Sequence, residues 1–516
     1  MKNSFEFNDL FIFDLANNHQ GDLKHALKIV REIGEVVHRH KVRGVFKLQF
    51  RQLDSFIHPA HRDKSENRHI HRFLSTRLDR KDFQVLLEAV RKDSLLAMCT
   101  PFDEESVDII TQMAFDLIKV ASCSAKDWPL LEKISDTGLP IVFSTGGLGL
   151  KDIDNLVSFL THRGCEFAIM HCVSLYPIPI DKFQLDQIDV LRNRYPEHVI
   201  GWSTHESPEQ TAPVQIAVGK RARIFERHVG IPTANNKLNP YSSTPEQVDH
   251  WIAAYQSARL MCGGQAERPI SPDEIESLDS LRRGVFANQP ITVGQPINRD
   301  LVYFAMPYQE GQLDSGNWKP GIIATANVAI NQPVMLSGIQ RPPEPELQVI
   351  KSAVHDVKAL LNEARIKLNS EFEVEYSHHY GIPKFRQYGV VLINCINREY
   401  CKKLLVQLPG QRHPLHHHKL KEETFQVLHG ELHVSIDGII RLLKPGETCL
   451  VLPGVWHSFW SETGAVFEEI STTHYKNDSV YKDKVIQSLQ EHERKTVVDH
   501  WGRYQLFVKA GSSRET

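Results

Sequence analysis

Lysine, histidine, carboxylate and hydroxyl side chains recur in the first half of this sequence at one kind of position, the ends of short apolar runs. Asp14 closes the run that begins at Phe11, with Asn17, Asn18 and His19 just beyond it; Lys47 and Gln49 close the second run and Thr100 the third. Lys119 and Ser122 close the fourth, Ser144 the fifth, His171, Ser174 and Tyr176 the sixth, Ser203 and His205 the seventh, Glu226 and His228 the eighth. One polar strand end is usually a solvated loop start, but eight in order are harder to dismiss. Two lysines with several hydroxyl residues converging on one mouth describe a site for a compact anion carrying phosphate and carboxylate. Lysine supplies point charge, and serine and threonine supply adjustable donors. His205 and His228 stand on neighbouring strands, close enough to share a cation, and Glu226 points to the same strand face as His228. A lone histidine pair is more often structural; the surrounding anion site favours a metal here.

The elements that must position these residues are legible in the same runs. FIFDLA, VFKLQF, LLAMCT, LIKVAS, IVFSTG, FAIMHC, VIGWST and RIFERHV are continuous apolar stretches separated by segments of helical periodicity. Buried parallel strands read this way, and eight of them alternating with helices predict a (β/α)8 barrel whose active site lies at the carboxyl ends of the strands. A helix from Pro245 to Cys262 would close it. From Arg282 to Ser337 turn signals at Val293-Gly294, Glu310-Gly311 and Lys319-Pro320-Gly321 punctuate short apolar pieces, which predicts a small β domain. The spacer RPPEPE, Arg341 to Glu346, leads into a helical stretch from Leu347 to Leu368. From Gly389 to about Glu469, short strands and tight turns predict a small β-barrel.

Composition excludes several classes. At 516 residues the chain needs two to four domains. A charged fraction of 24% with a net charge of -3 gives neither the basic excess of a nucleic-acid binder nor an acidic tail, so any anionic substrate must be caught by a local site. The eight cysteines form no CxxC pair, the start lacks a signal-peptide pattern, and no run approaches the roughly 18 apolar residues of a membrane span. A reduced, cytoplasmic location is expected, without nucleic-acid or membrane partners.

From about Phe11 to Met335 the sequence resembles the bacterial sialic acid synthase family and its legionaminic and pseudaminic acid relatives. The resemblance rests on NNHQGD, FKLQF, TPFDEESVD, IKVASCS, FSTGG, MHCVSLYP, WSTHE and ERHVG, each in family order. It implies a reaction joining phosphoenolpyruvate to the aldehyde of an acylated aminosugar with release of phosphate. It also implies that Lys47, Thr100, Lys119, Ser122, Ser144, Ser174 and Ser203 hold phosphoenolpyruvate, that Gln49, Tyr176 and Glu226 contact the sugar, and that His205 and His228 bind a divalent metal, usually manganese. Asp14 stands where the family usually has glutamate and is expected to handle the attacking water or the aldehyde proton. Thr204 replaces a common aspartate, and the stretch NNKLNPYSSTPEQ, Asn235 to Gln247, replaces one whose aspartate touches the sugar, so recognition of the aldose is expected to depart from the standard.

LRRGVFANQPITVGQPINRDLVYFAMP, Leu281 to Pro307, is similar to the antifreeze-type SAF domain, a β-clip, which in such enzymes crosses to a partner barrel and supplies an arginine. The matching loop here, YFAMPYQEG, has none. A domain-swapped homodimer is still implied. Further on, Gly410, His416, His418, Glu423 and Gly430 match the first cupin motif without a mismatch, and Gly446, Gly454 and His457 match the second in part, with Ser461 at its end. Strand alternation points His416 and His418 into one interior and His417 outward. These histidines with Glu423 and His457 are the expected ligands of a second divalent transition metal. The run could instead be a surface cluster, the reading favoured if Glu423 and His457 were absent.

The expectation is thus an α/β TIM barrel (residues 1–266), a small SAF domain (280–340), a proline-rich linker (341–346) and an all-β cupin barrel (347–516), acting as a nonulosonic acid synthase. Within the barrel, Asp14, Glu226, His205 and His228 are the expected catalytic residues. Two alternatives stand beside it: a bifunctional synthase and sugar isomerase or epimerase, since FEEISTTHYKNDSVYKD (Phe467 to Asp483) faintly resembles cupin-type sugar isomerases, and a sugar-binding regulatory protein with an inactive barrel.

Overall fold

A computed structural model describes residues 4–62, 65–234, 237–264, 268–368, 372–475 and 477–499. The chain divides into two compact units, Met1–Pro269 and Ile270–Thr516. In the first, eight parallel strands close into a barrel in sequence order: β1 (Leu10–Asp14), β2 (Arg43–Phe50), β3 (Leu96–Pro101), β4 (Leu117–Val120), β5 (Ile141–Ser144), β6 (Phe167–Cys172), β7 (Ile200–Ser203) and β8 (Ile224–His228). Every apolar run read from the sequence is one of these strands, and the closing helix spans Pro245–Cys262 as expected.

Local chemistry sets the helix ends. Asp22 accepts from the backbone N–H groups of Lys24 and His25 to start the helix Leu23–His40, whose last turn carries His38, Arg39 and His40 against the carbonyl end. Thr244 and Gln247 form a capping box around Pro245 at the start of the closing helix.

Pleating then sorts each strand by alternate residues. Outward side chains such as Phe11, Phe13, Phe46 and Phe143 join the helices in one large apolar cluster. Inward, Ile12, Val45, Met98, Leu117, Val142 and Ile224 form a separate apolar plug with Phe7. Two residues further along the same faces come Asp14, Lys47, Thr100, Lys119, Ser144 and Glu226, all buried. The barrel interior therefore turns from apolar to polar at one level.

β8 carries charge on both faces. Glu226 points inward, while its neighbour Arg227 lies 1% exposed among the outer elements, 2.8 Å from Glu206 and over the Trp251 ring of the closing helix at 5.0 Å.

In the second unit, residues 284–340 hold four short strands, β9 (Gly284–Ala287), β10 (Val302–Ala305), β11 (Ile323–Ala324) and β12 (Ile339–Gln340), around a small core including Val285, Ile297, Leu313 and Val334. A helix, Glu346–Glu363, follows; it begins inside the expected spacer because Pro345 can precede a first turn but cannot extend one. Twelve more strands are β13 (Glu373–Ser377), β14 (Val390–Asn397), β15 (Tyr400–Gln407), β16 (His416–His418), β17 (Glu423–Gly430), β18 (Leu432–Ile436), β19 (Ile439–Leu443), β20 (Thr448–Val451), β21 (His457–Trp460), β22 (Ala465–Thr472), β23 (Ser479–Tyr481) and β24 (Lys495–Asp499). They form two sheets, ordered β20-β17-β22-β15-β14-β13-β24 and β19-β18-β21-β16-β23. The helix lays Val349, Ile350, Ala353, Val354, Val357 and Leu361 on the outer face of the first sheet, against Val391, Ile393, Leu404 and Val406. The expected β segment was too short at both ends, since β13, β23 and β24 lie outside it. Among the described residues no helix is long and apolar enough to cross a membrane.

Removing one partner of a fully buried ion pair strands the other charge, so Glu206→Ala should lower unfolding free energy by about 3–5 kcal/mol. Denaturant titration checks this; a loss under about 1 kcal/mol would be the value of a solvated surface pair.

Candidate functional site

At the polar level of the barrel, Lys47 Nζ lies 3.0 Å from Asp14 Oδ2 and 2.8 Å from Glu226 Oε1, with each of the three side chains at most 6% exposed. Register causes the meeting: Asp14 pairs with Lys47 across β1 and β2 and with His228 across β1 and β8. Lys119 Nζ donates to Ser144 Oγ at 2.6 Å and stands 3.8 Å from Glu226 Oε2. Ser203 donates to Glu226, and Gln49 Nε2 donates to Asp14. Burial alone would make Lys47 shed its proton, but the Asp14 and Glu226 charges outweigh it and push its pKa above the usual lysine range. Burial would likewise raise Glu226; Lys119 and Lys47 overcome it and hold the carboxyl below its ordinary range.

His205 and His228 face each other with ring centroids 5.4 Å apart. The Nδ1–H of His205 donates to the Val173 carbonyl at 3.1 Å, and His228 Nδ1 lies 3.3 Å from Asp14 Oδ2. These contacts leave both Nε2 lone pairs free, the tautomer a metal requires. Burial pushes the His205 pKa down to about 3 and lowers that of His228, so both rings are neutral at pH 7. The Tyr176 ring packs against His205 with centroids 4.1 Å apart and planes inclined by 46°, and Thr100 Oγ1 is buried without a protein partner.

Ser122 and Ser174 gather at a glycine. The Gly146 N–H donates to Ser122 Oγ at 3.0 Å, and a Cβ there would stand 2.2 Å from Ser174 Oγ and 2.8 Å from Ser122 Oγ. Gly146, Cys172, Arg51 and Tyr241 belong to this mouth and escaped the sequence reading. The Cys172 thiol lies at the same spot, 3.3 Å from where that Cβ would stand. Arg51 is held between the Phe73 and Phe102 rings at 4.1 and 3.6 Å and donates to Gln49. Its position two residues after Gln49 and four after Lys47, on one strand face, was the available signal. Tyr241 lies 5.2 Å from both Tyr176 and His228 by ring centroid, on the segment that lacks an aspartate.

In the cupin barrel, ligand atoms of His416, His418 and His457 all lie within 4.8 Å of one another, and all three residues are buried. Glu423 joins them, 3.2 Å from His418 Nε2 and 3.2 Å from His457 Nε2. Glu423 Oε2 and His457 Nε2 make no hydrogen bond despite their closeness, so their lone pairs converge on common space. The Nδ1–H groups of His416 and His457 donate to the Pro414 and Val455 carbonyls, each at 3.1 Å, and His418 Nδ1 lies 3.3 Å from Ser479 Oγ. Three oriented imidazoles and one carboxylate fit a divalent transition metal. His417 turns away to meet the Trp456 ring at 4.5 Å.

Lys47→Met would take from Asp14 and Glu226 the ammonium they share, leaving Glu226 only the more distant Lys119. A carboxylate whose folded pKa is depressed contributes stability that is present at neutral pH and fades as acid protonates it. The gap in unfolding free energy between the wild type and Lys47→Met should therefore be widest near pH 7 and narrow towards pH 2, as the pH falls below 4.5 and through the folded pKa of Glu226, lowered to about 2. Denaturant titrations at both values check this.

The NeuB family profile matches residues 40–267, and a cupin domain profile matches residues 404–471. The N-acetylneuraminate-9-phosphate synthase of Drosophila melanogaster is 30% identical over 278 residues, 51% of this chain and 70% of that protein. The N,N'-diacetyllegionaminic acid synthase of Campylobacter jejuni is 22% identical over 60% of this chain and 97% of its own length. Among solved structures, a spore coat polysaccharide biosynthesis protein E from Chromobacterium violaceum is 43% identical, covers 64% of this chain and 100% of that one, and superposes with a TM-score of 0.61. With the charged barrel mouth in place and relatives matched at this level, the chain belongs to the NeuB family, that of the sialic and legionaminic acid synthases, and carries a cupin domain beyond its barrel.

Proposed function

We propose that the barrel is a nonulosonic acid synthase, joining phosphoenolpyruvate to the aldehyde of an acylated aminosugar and releasing phosphate. The observation that carries this reading is the pairing, at one mouth, of two buried lysines with two neutral histidines whose Nε2 atoms are free. Lys47 and Lys119, with Thr100, Ser122, Ser144, Ser174 and Ser203, hold the phosphate and carboxylate of phosphoenolpyruvate. The incoming anion competes with Asp14 and Glu226 for the ammonium groups, and a preorganised cluster of this kind costs no reorganisation as charge develops. Gln49, Tyr176 and Glu226 contact the sugar.

The new bond joins the third carbon of phosphoenolpyruvate to the sugar's first, water adds at the second carbon, and phosphate leaves with C–O cleavage. Asp14 contacts both Lys47 and His228, between the anion site and the histidine pair. From there it takes the proton of the attacking water or delivers one to the aldehyde oxygen. A divalent cation such as manganese, held by His205 and His228, would supply Lewis-acid polarisation of the aldehyde. In the cupin, His416, His418, Glu423 and His457 hold a second transition metal. The enzyme acts as a cytoplasmic homodimer.

Phosphate release from phosphoenolpyruvate, measured across N-acylated hexosamines and 2,4-diacetamido sugars with product mass, should single out the acceptor. His228→Ala should abolish turnover while the fold persists; activity unaffected by that change and by chelator rules out the metal-assisted aldehyde. Lys47→Ala or Lys119→Ala should weaken phosphoenolpyruvate binding about tenfold or more, since a charge-assisted contact to a buried anion is worth roughly 1.5–3 kcal/mol. Titration calorimetry reads this, and a change within about twofold would place the phosphate elsewhere.

For the cupin, changing both His416 and His418 to alanine should remove about one metal per chain from the reconstituted protein. Elemental analysis decides it, and undiminished metal content assigns the ion to other ligands.

A further inference from the structure

Outside the synthase barrel, the densest buried charge among the described residues lies inside the cupin. A cavity, about 490 Å³ when the part open to solvent is counted, runs from the His416 and His418 rings past Lys403, Lys421, Lys495, Glu375, Glu469 and His474. Lys403, Lys421 and Glu469 are each at most 5% exposed. Packing does not ask for these groups. Along β22 the inward residues are Ala465, Phe467, Glu469 and Ser471, and along β15 they are Cys401, Lys403, Leu405 and Gln407. The same strands fill one end of the barrel with Leu405, Phe425, Phe459 and Phe467. Apolar side chains in place of buried ion pairs are commonly neutral or stabilising, so charge confined to the histidine end points to a ligand.

The chemistry of that ligand follows from the arrangement. Lys421 Nζ lies 2.9 Å from Glu469 Oε1 and also contacts Glu423; Lys403 stands 3.7 Å from Glu469; Lys495 lies 3.1 Å from Glu375. Each of the three lysines already has a carboxylate partner in Glu375, Glu423 or Glu469, so none stands alone to seat a phosphate. Donors and acceptors alternate, and Ser377 and Ser471 add hydroxyls on Glu375 and Glu469. Such a lining recognises a compact uncharged molecule bearing many hydroxyls, rather than a hydrocarbon, a nucleobase or a phosphate ester. Glu469 would be raised by burial, but Lys403 and Lys421 keep it ionised, and His474 Nδ1 has no hydrogen-bond partner. The cavity thus offers a carboxylate base beside the histidine cluster.

We propose that this cavity is a second active site, which takes one open-chain neutral sugar and interconverts its aldose and ketose forms with Glu469 as the base. The proposal rests on the metal reading of the cupin given above. Glu469 removes the proton from the carbon next to the carbonyl, and that electron pair forms the double bond of an enediol. The proton returns to the former carbonyl carbon, while the hydroxyl proton of the second oxygen passes to the first. One C–H bond breaks, one forms, the carbonyl moves by one carbon, and no oxidant or second substrate is needed. A divalent cation at His416, His418, Glu423 and His457 would supply positive charge to the two adjacent oxygens.

The test uses the full chain with His205→Ala and His228→Ala, so that manganese can occupy only the cupin, and counts bound metal first. Individual free pentoses and hexoses in deuterium oxide are then followed by NMR. Expected are manganese broadening of a sugar's resonances, deuterium at its second carbon and appearance of the ketose. Glu469→Gln should keep the broadening and lose exchange by about 100-fold or more, the usual scale of a general base. Should that variant not fold, Glu469→Asp should keep the broadening with exchange reduced at least about tenfold. A protein that takes up no manganese overturns the cupin metal and this proposal together. Bound manganese with neither broadening nor exchange across the panel overturns this proposal alone, as does exchange undiminished in both Glu469 variants.

Discussion

The Lys47 ammonium, held between Asp14 and Glu226 with almost no water reaching it, is the contact on which the eight-stranded barrel is organised. An isolated charge at that depth would cost many kcal/mol, so three strands must meet in one register for any of the three groups to remain ionised. Asp14 transmits the constraint to His228, and Glu226 transmits it to Lys119 and Ser203. The lysine pair and the histidine pair are parts of one network, because register brings Asp14 on β1 within reach of β2 and β8 together.

The cupin solves the same problem with antiparallel strands. Its cluster of three histidines and Glu423 comes from β16, β17 and β21, and each ring is aimed by a bond from its other nitrogen. Its sheet splits along its length, with apolar residues at one end and ion pairs at the other. In both units period-two alternation carries a core into a site without any change of backbone.

The fold was legible wherever it depended on continuous hydrophobicity or fixed spacing. All eight barrel strands, the closing helix and the cupin histidine cluster follow from runs and intervals in the sequence. The site was legible only to the level of residue type at strand ends. Glu226 could be placed beside His228, but not its grip on Lys47, because that contact depends on the register of β1, β2 and β8. Gly146, Cys172 and Tyr241 were missed because their roles lie in contacts between loops and strands far apart in sequence. β13 and β24 were missed for a related reason: EVEYS and KTVVD are too short and too polar to announce a strand until the neighbouring sheet supplies the partner.

The opposed charges on β8 have an evolutionary consequence. Glu226 faces two lysines, and Arg227 faces Glu206 on the other side of the strand. A slip of one residue would exchange them, setting a guanidinium among ammonium groups and a carboxylate under the closing helix, a double reversal that no repacking absorbs. Loops elsewhere around the barrel can gain or lose residues as lineages diverge. The connections on either side of β8 cannot drift in length unless the strand's own phase is preserved, so insertions and deletions among descendants of this chain should be scarce there while point substitutions accumulate freely.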